Sequence, residues 1–164
     1  MAQKVMQLHT KASRLATPAR GTMLPHRSHQ GGGADMRIFV VEDSAPVRER
    51  LIEMIGELEG CSVVGEAATA DAAVAGIRRT RPDVAIFDIQ LAAGSGIDAL
   101  SEAKREQPGL RAIVLTNYAT PQHEKASVDA GAEYFLDKSA DFEKISQVLA
   151  YMNADASSAS SENE

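Results

Sequence analysis

Apolar runs of this sequence stop at reactive polar groups in four places: Val40-Val41 at Glu42-Asp43, Ile86-Phe87 at Asp88, Val114-Leu115 at Thr116, and Phe135-Leu136 at Asp137-Lys138. Three carboxylates brought to one place repel one another unless a cation offsets their charge, and such hard oxygen ligands suit Mg2+, which keeps several of its waters. With the charge offset, one carboxylate can act as a nucleophile toward phosphorus and form an aspartyl phosphate. Asp88 is the natural candidate for that nucleophile, with Glu42 and Asp43 beside it. Thr116 can offer its hydroxyl to a phosphoryl oxygen, and Lys138 carries a cation on a long arm. Taken singly, each has an ordinary reading as a strand-end acid, a β-branched strand residue or a solvated lysine. The joint arrival at strand ends is what points to a site.

These groups meet only if the chain folds to bring the strand ends together. From Met36 onward, short apolar runs alternate with helical patterns, the signature of βα units around a parallel sheet. Five units fit, with strands expected at 37–42, 61–66, 83–88, 111–116 and 133–137, and the fold class is a doubly wound α/β sheet, (βα)5. The first, third and fourth runs are almost continuously apolar, as helices on both faces require. In an open α/β sheet, ligands bind outside the carboxyl ends of the strands where strand order reverses. The order 2-1-3-4-5 puts that crevice between the first and third strands, with Glu42, Asp43 and Asp88 in it. The fifth strand then lies two spacings from the third, roughly 10 Å away, a gap that the Lys138 side chain spans.

The first helix places Val47, Leu51, Ile55 and Leu58 on one stripe, with Ser44 as its expected N-cap and Pro46 in its first turn. The last helix carries the stripe Phe142, Ile145, Leu149 and Met152. Between them, helices are expected at about 71–80, 96–106 and 121–130, the last ending on Gly131 as a left-handed cap. Gly94-Ser95-Gly96 reads as a turn into the third helix, since no P-loop Lys-Ser/Thr follows it. Glu42-Asp43-Ser44-Ala45-Pro46 after the first strand excludes a dinucleotide-binding glycine turn.

Apolar residues make up 44% of the 164-residue chain and charged residues 24%, values of a single globular domain with no membrane span. One cysteine, Cys61, leaves neither a disulfide framework nor a thiolate metal cage. Residues 1–35 hold 5 Lys/Arg against 1 acid, the remainder 12 against 22. A body this acidic repels phosphate backbones, so direct nucleic-acid binding is not expected of it. Residues 1–35, with a Gly31-Gly32-Gly33 run and no sustained apolar period, read as a disordered extension. A transit peptide is the weaker reading, and Met36 could itself be the start. Residues 153–164 are Ser, Ala, Asn and acid, and read as a solvated, disordered acidic tail.

The acidic pair, Asp88, Thr116 and Lys138 follow one another at successive separations of 45, 28 and 22 residues from Asp43. In this the chain resembles the receiver domain of response regulators, over about 36–152. The resemblance implies a flavodoxin-like fold and a stand-alone, bacterial, cytoplasmic switch of a two-component phosphorelay. It implies that Glu42, Asp43, Asp88 and the backbone carbonyl of Gln90 hold Mg2+, and that Asp88 takes its phosphoryl group from a histidine kinase or phosphotransfer protein. It further implies that Thr116 is the switch hydroxyl, Phe135 the switch aromatic and Lys138 the phosphate cation. Such a domain catalyses only its own phosphorylation and dephosphorylation.

Three positions depart from the commonest pattern of that family. Glu42 stands where Asp is usual, which suits a metal contact through water. Ala92 stands where Pro is frequent, which loosens the loop after Asp88. Ser139 replaces a Pro that often follows a cis bond, and a non-proline cis bond costs about 2.5–4 kcal/mol. A haloacid-dehalogenase-like phosphatase would place a second Asp where this chain has Gln90, an amide without proton-transfer power. The same residues would also serve a phosphate sink, and the same fold a binding module that works without phosphate. The 12 residues after Met152 are too few for a helix-turn-helix. Output is therefore expected through the domain's own surface, by binding a partner protein or a second copy, with His123, Lys125, Tyr134 and Lys144 on the responding face.

Overall fold

Five short strands, all paired in parallel, form one sheet in the order β2-β1-β3-β4-β5 in the computed structural model of the chain, which describes residues 34–161. They are β1 Met36–Val41, β2 Cys61–Ala67, β3 Val84–Phe87, β4 Arg111–Thr116 and β5 Tyr134–Asp137. The strand order and the doubly wound class are those expected from the sequence. The extension expected over 1–35 lies outside the described residues except at its last two positions.

Period-two alternation sorts the strand side chains onto two cores. Phe39, Val41, Ala85, Phe87, Ala112, Val114 and Phe135 face one side. There they meet Ala73, Val74 and Ile77 of α2 (Ala70–Thr80) and Ala99, Leu100 and Ala103 of α3 (Gly96–Glu106). Ile38, Val40, Val84, Ile86, Ile113, Leu115, Tyr134 and Leu136 face the other side; Tyr134, expected on the responding face, is 1% exposed, because its inward strand position packs it into this core. They meet Leu51 and Ile55 of α1 (Ala45–Gly56) and Ile145, Val148, Leu149 and Met152 of the last helix. The expected stripes of the first and last helices are thus the buried ones, although Val47 and Leu58 are only partly covered. Helix α4 (Pro121–Ala130) completes the first side and ends on Gly131 at φ 112, the expected left-handed cap.

Two local expectations are corrected and one element is added. Ser44 occupies the N-cap position of α1, but its side chain caps nothing; its backbone N–H instead donates to Glu42 Oε1 at 3.1 Å. A one-turn helix, α5 (Lys138–Asp141), follows β5 and is capped by the Asp137 carboxylate, which accepts from the Ser139 N–H at 2.8 Å. Four residues are too few for a hydrophobic period to register. Finally, α6 (Lys144–Ser161) does not stop at Met152. The chain beyond it holds no Gly or Pro and several Ala, so nothing breaks the helix. Arg111 also reaches across, with Nη1 3.4 Å from Asp155 Oδ2. Residues 154–159 are exposed, so burial ends where the tail was expected to begin, but the helix does not.

Candidate functional site

Pairing of β1 directly with β3 places Val41 opposite Phe87, so the residues that follow, Glu42 and Asp88, emerge side by side at the carboxyl end of the sheet. One carboxylate oxygen from each of Glu42, Asp43 and Asp88 lies within 4.8 Å of the other two. Three hard oxygen donors at that spacing fit a divalent cation of the Mg2+ type. Glu42 is 1% and Asp88 6% exposed, while Asp43 faces solvent. The site therefore has a dry floor and an open mouth.

Backbone contacts hold both floor carboxylates. The Asp88 N–H donates to the Val41 carbonyl at 2.9 Å, and the Glu42 N–H to the Ala67 carbonyl at 2.9 Å. Arg48, one turn into α1, donates from Nη1 to the Glu42 carbonyl at 2.9 Å. Nothing in the sequence distinguished Arg48 from the other charged residues of that helix. On the far side of Asp88, α3 begins almost against the backbone. A Cβ on Gly96 would sit 1.7 Å from the Asp88 carbonyl oxygen, so this position has room for no side chain. Gly94-Ser95-Gly96 is thus a turn into α3, as expected, with Ser95 as the N-cap.

In-register pairing of Thr116 with Asp137 brings Lys138 to the same edge. Its Nζ spans the two sheet spacings and lies 2.7 Å from Asp88 Oδ2 and 2.6 Å from Glu42 Oε2, with the side chain 8% exposed. Burial works against the ammonium, but hydrogen bonds to Asp88 and Glu42 outweigh it and hold the Lys138 pKa above its ordinary value. Burial, offset only in part by Lys138, pushes the Glu42 carboxyl above the usual carboxylate range. The cluster so formed has a lysine neutralising buried carboxylates that would otherwise repel an incoming anion.

Thr116 is fully buried at the end of β4, and its Oγ1 accepts the Tyr118 N–H at 3.1 Å. Phe135 is buried in the core on the α2–α4 side of the sheet. Gln90 is exposed, two residues beyond Asp88, and forms an isolated bridge with Ser95. The loop after Asp88 is fastened despite Ala92, with Ala92 N–H donating to the Ala68 carbonyl at 3.3 Å and Ala70 N–H to the Ala93 carbonyl at 2.9 Å. The Lys138-Ser139 bond is trans. His123, a bare surface residue by sequence, places Nδ1 2.7 Å from the Tyr118 carbonyl oxygen. Elsewhere, a shallow groove of about 900 Å³ between Met54 and Leu58 at the end of α1 and Ser146 of α6 contains none of these groups.

Comparison with known proteins agrees with this fold. A family profile described as the response regulator receiver domain matches residues 38–150. The DNA-binding transcriptional activator DevR/DosR of Mycobacterium tuberculosis is 33% identical over 103 residues, covering 63% of this chain and 48% of that protein. The chain spans about half the length of the curated relatives it matches. Among solved structures, a two-component response regulator of the LuxR family from Aurantimonas sp. SI85-9A1 superposes with a TM-score of 0.69 at 29% identity, covering 74% of this chain and 86% of that one. A CheY-like response regulator receiver domain protein from Methanospirillum hungatei JF-1 superposes with a TM-score of 0.63, also at 29% identity, covering 74% of this chain and 99% of that one.

Proposed function

Because the chain belongs to the response regulator receiver domain family, we propose that it is a phosphorylation switch of a two-component system that accepts a phosphoryl group on Asp88. The observation that carries this reading is the contact of Lys138 Nζ with Asp88 Oδ2, beside carboxylate oxygens of Glu42 and Asp43. In the transfer, an Asp88 oxygen forms the new bond to phosphorus, and the bond from phosphorus to a nitrogen of the donor's histidine breaks. The electron pair of that broken bond stays with the donor. Glu42, Asp43, Asp88 and the Gln90 carbonyl would hold Mg2+, which when bound offsets negative charge on the carboxylates and on the phosphoryl oxygens.

Lys138 keeps a cation against the carboxylate oxygens, and on phosphorylation Thr116, on the adjacent strand, turns its hydroxyl toward the phosphoryl oxygens. Phosphate shifts a two-state equilibrium only through its differential affinity for the two states. Thr116 and Lys138 supply that difference here, and Phe135 repacks on the side of the sheet that α4 covers. The donor is a histidine kinase or phosphotransfer protein, and the recipient a partner protein or a second copy of the chain. The chain catalyses only reactions of its own aspartyl phosphate, in the bacterial cytoplasm; among the described residues no helix is long and apolar enough to cross a membrane.

Incubation with acetyl phosphate and Mg2+ tests the assignment. The full chain takes up one phosphoryl group, and Asp88→Asn takes up none while keeping its fold, because only the nucleophilic oxygen changes. Stoichiometric labelling of Asp88→Asn would overturn the reading.

A further inference from the structure

The connection from β4 to α4 is tied at both ends of one residue. The Tyr118 N–H donates to Thr116 Oγ1 at 3.1 Å. Its carbonyl oxygen accepts from the Thr120 N–H at 2.9 Å and lies 2.7 Å from His123 Nδ1. A carbonyl only accepts, so Nδ1 carries the hydrogen in this contact. The His123 N–H in turn donates to Thr120 Oγ1 at 3.1 Å, capping α4. One continuous set of hydrogen bonds therefore runs from the buried Thr116 hydroxyl to the first turn of α4, and His123 is its only ring donor. The Tyr118 side chain, 48% exposed, stands at the same point and has its backbone fixed by these bonds.

We infer that His123 is a positioning residue of the switch: its ring holds the β4–α4 connection in the arrangement that keeps Thr116 engaged with Tyr118, and so opposes the arrangement in which Thr116 turns to a phosphoryl group on Asp88. The inference rests on the phosphoryl-switch reading above. The reasoning is one of populations. Apparent affinity for a phosphate analogue is reduced by the fraction of molecules not yet in the receptive state. Weakening a bond made only in the resting state raises that receptive fraction. A hydrogen bond contributes a factor of roughly 2 to 10 in such an equilibrium.

Titration of the full chain with beryllofluoride in the presence of Mg2+ tests it. His123→Ala binds beryllofluoride roughly 2- to 10-fold more tightly than the wild type. His123→Asn, whose amide N–H leaves from the position of Nδ1, returns the affinity to near the wild-type value. Hydrogen exchange without ligand shows the Tyr118 and Thr120 amides opening faster in His123→Ala than in either of the others. Affinity for His123→Ala equal to or weaker than wild type overturns the inference, as does identical behaviour of the Ala and Asn variants, which is what a purely structural role gives. If the wild type itself binds no beryllofluoride, the phosphoryl-switch reading falls and this inference falls with it.

Discussion

Helices α4 and α6 flank the edge strand β5 from opposite faces of the sheet, and they are fastened very differently. Helix α6 drives Ile145, Val148, Leu149 and Met152, all fully buried, into the core shared with Tyr134 and Leu136. Helix α4 buries a single residue, Ser127, and its hydroxyl has no hydrogen-bond partner among the described residues. Val128 and Ala130 are only partly covered beside it. Elements with few buried apolar contacts open and shift at low free-energy cost. A switch needs such an element next to its sensor, and a fixed one to move against. Thr116 and Tyr118 lead directly into α4, so the weakly held helix is joined to the site through the Thr116 hydroxyl.

Truncating Leu149→Ala strikes the strongly held helix and has the largest expected effect. It costs about 2–5 kcal/mol, read from the denaturant midpoint, because a fully buried leucine leaves both lost contacts and a cavity. A loss below about 1 kcal/mol would mean that α6 is no better anchored than α4.

The site should itself carry a stability cost. Burial holds the Glu42 carboxyl above its ordinary range. The folded state therefore prefers the protonated form, and that contribution is fully present below the ordinary carboxylate pKa and lost as pH rises through the raised folded value. At neutral pH Glu42→Gln removes a disfavoured charge while keeping an acceptor for the Ser44 N–H. Its thermal midpoint should rise without Mg2+, while Mg2+ binding weakens. A lower midpoint at neutral pH would show that the ion pair with Lys138 outweighs burial.

The smallest effect belongs to α4. Ser127→Ala deletes a buried hydroxyl that makes no bond and substitutes a better helix former, so stability should stay unchanged or rise by up to about 1 kcal/mol. A loss of similar size would reveal a partner for that hydroxyl and would narrow the contrast between the two helices.

The contrast also separates what was legible in the sequence from what was not. Strands of a parallel sheet covered on both faces must be apolar at nearly every position, so 37–42, 83–88 and 111–116 stand out and their polar ends fix where the site lies. Gly131 marks the end of α4 because a left-handed residue there favours glycine. The same reasoning identified α6 by its stripe but placed its end at Met152, since loss of apolar residues signals loss of burial rather than loss of helix. The weak anchoring of α4 was hidden because partly covered Val128 and Ala130 look like core in a pattern. Ser44 misled for a local reason: its backbone, not its side chain, serves the acidic pair. The contact of His123 with Tyr118 depends on the path of a loop, which no residue spacing encodes.

Hydrogen exchange of the full chain with and without beryllofluoride and Mg2+ tests most directly the claim that chemistry at Asp88 is read out through the weakly held helix. Exchange should change around Asp88 and across 117–131, covering the β4–α4 connection and α4, and should stay unchanged across the buried part of α6, 145–152. Changes confined to the surroundings of Asp88, or larger in α6 than in α4, would contradict the account. The first of these results would leave a phosphate sink as the better description of the protein.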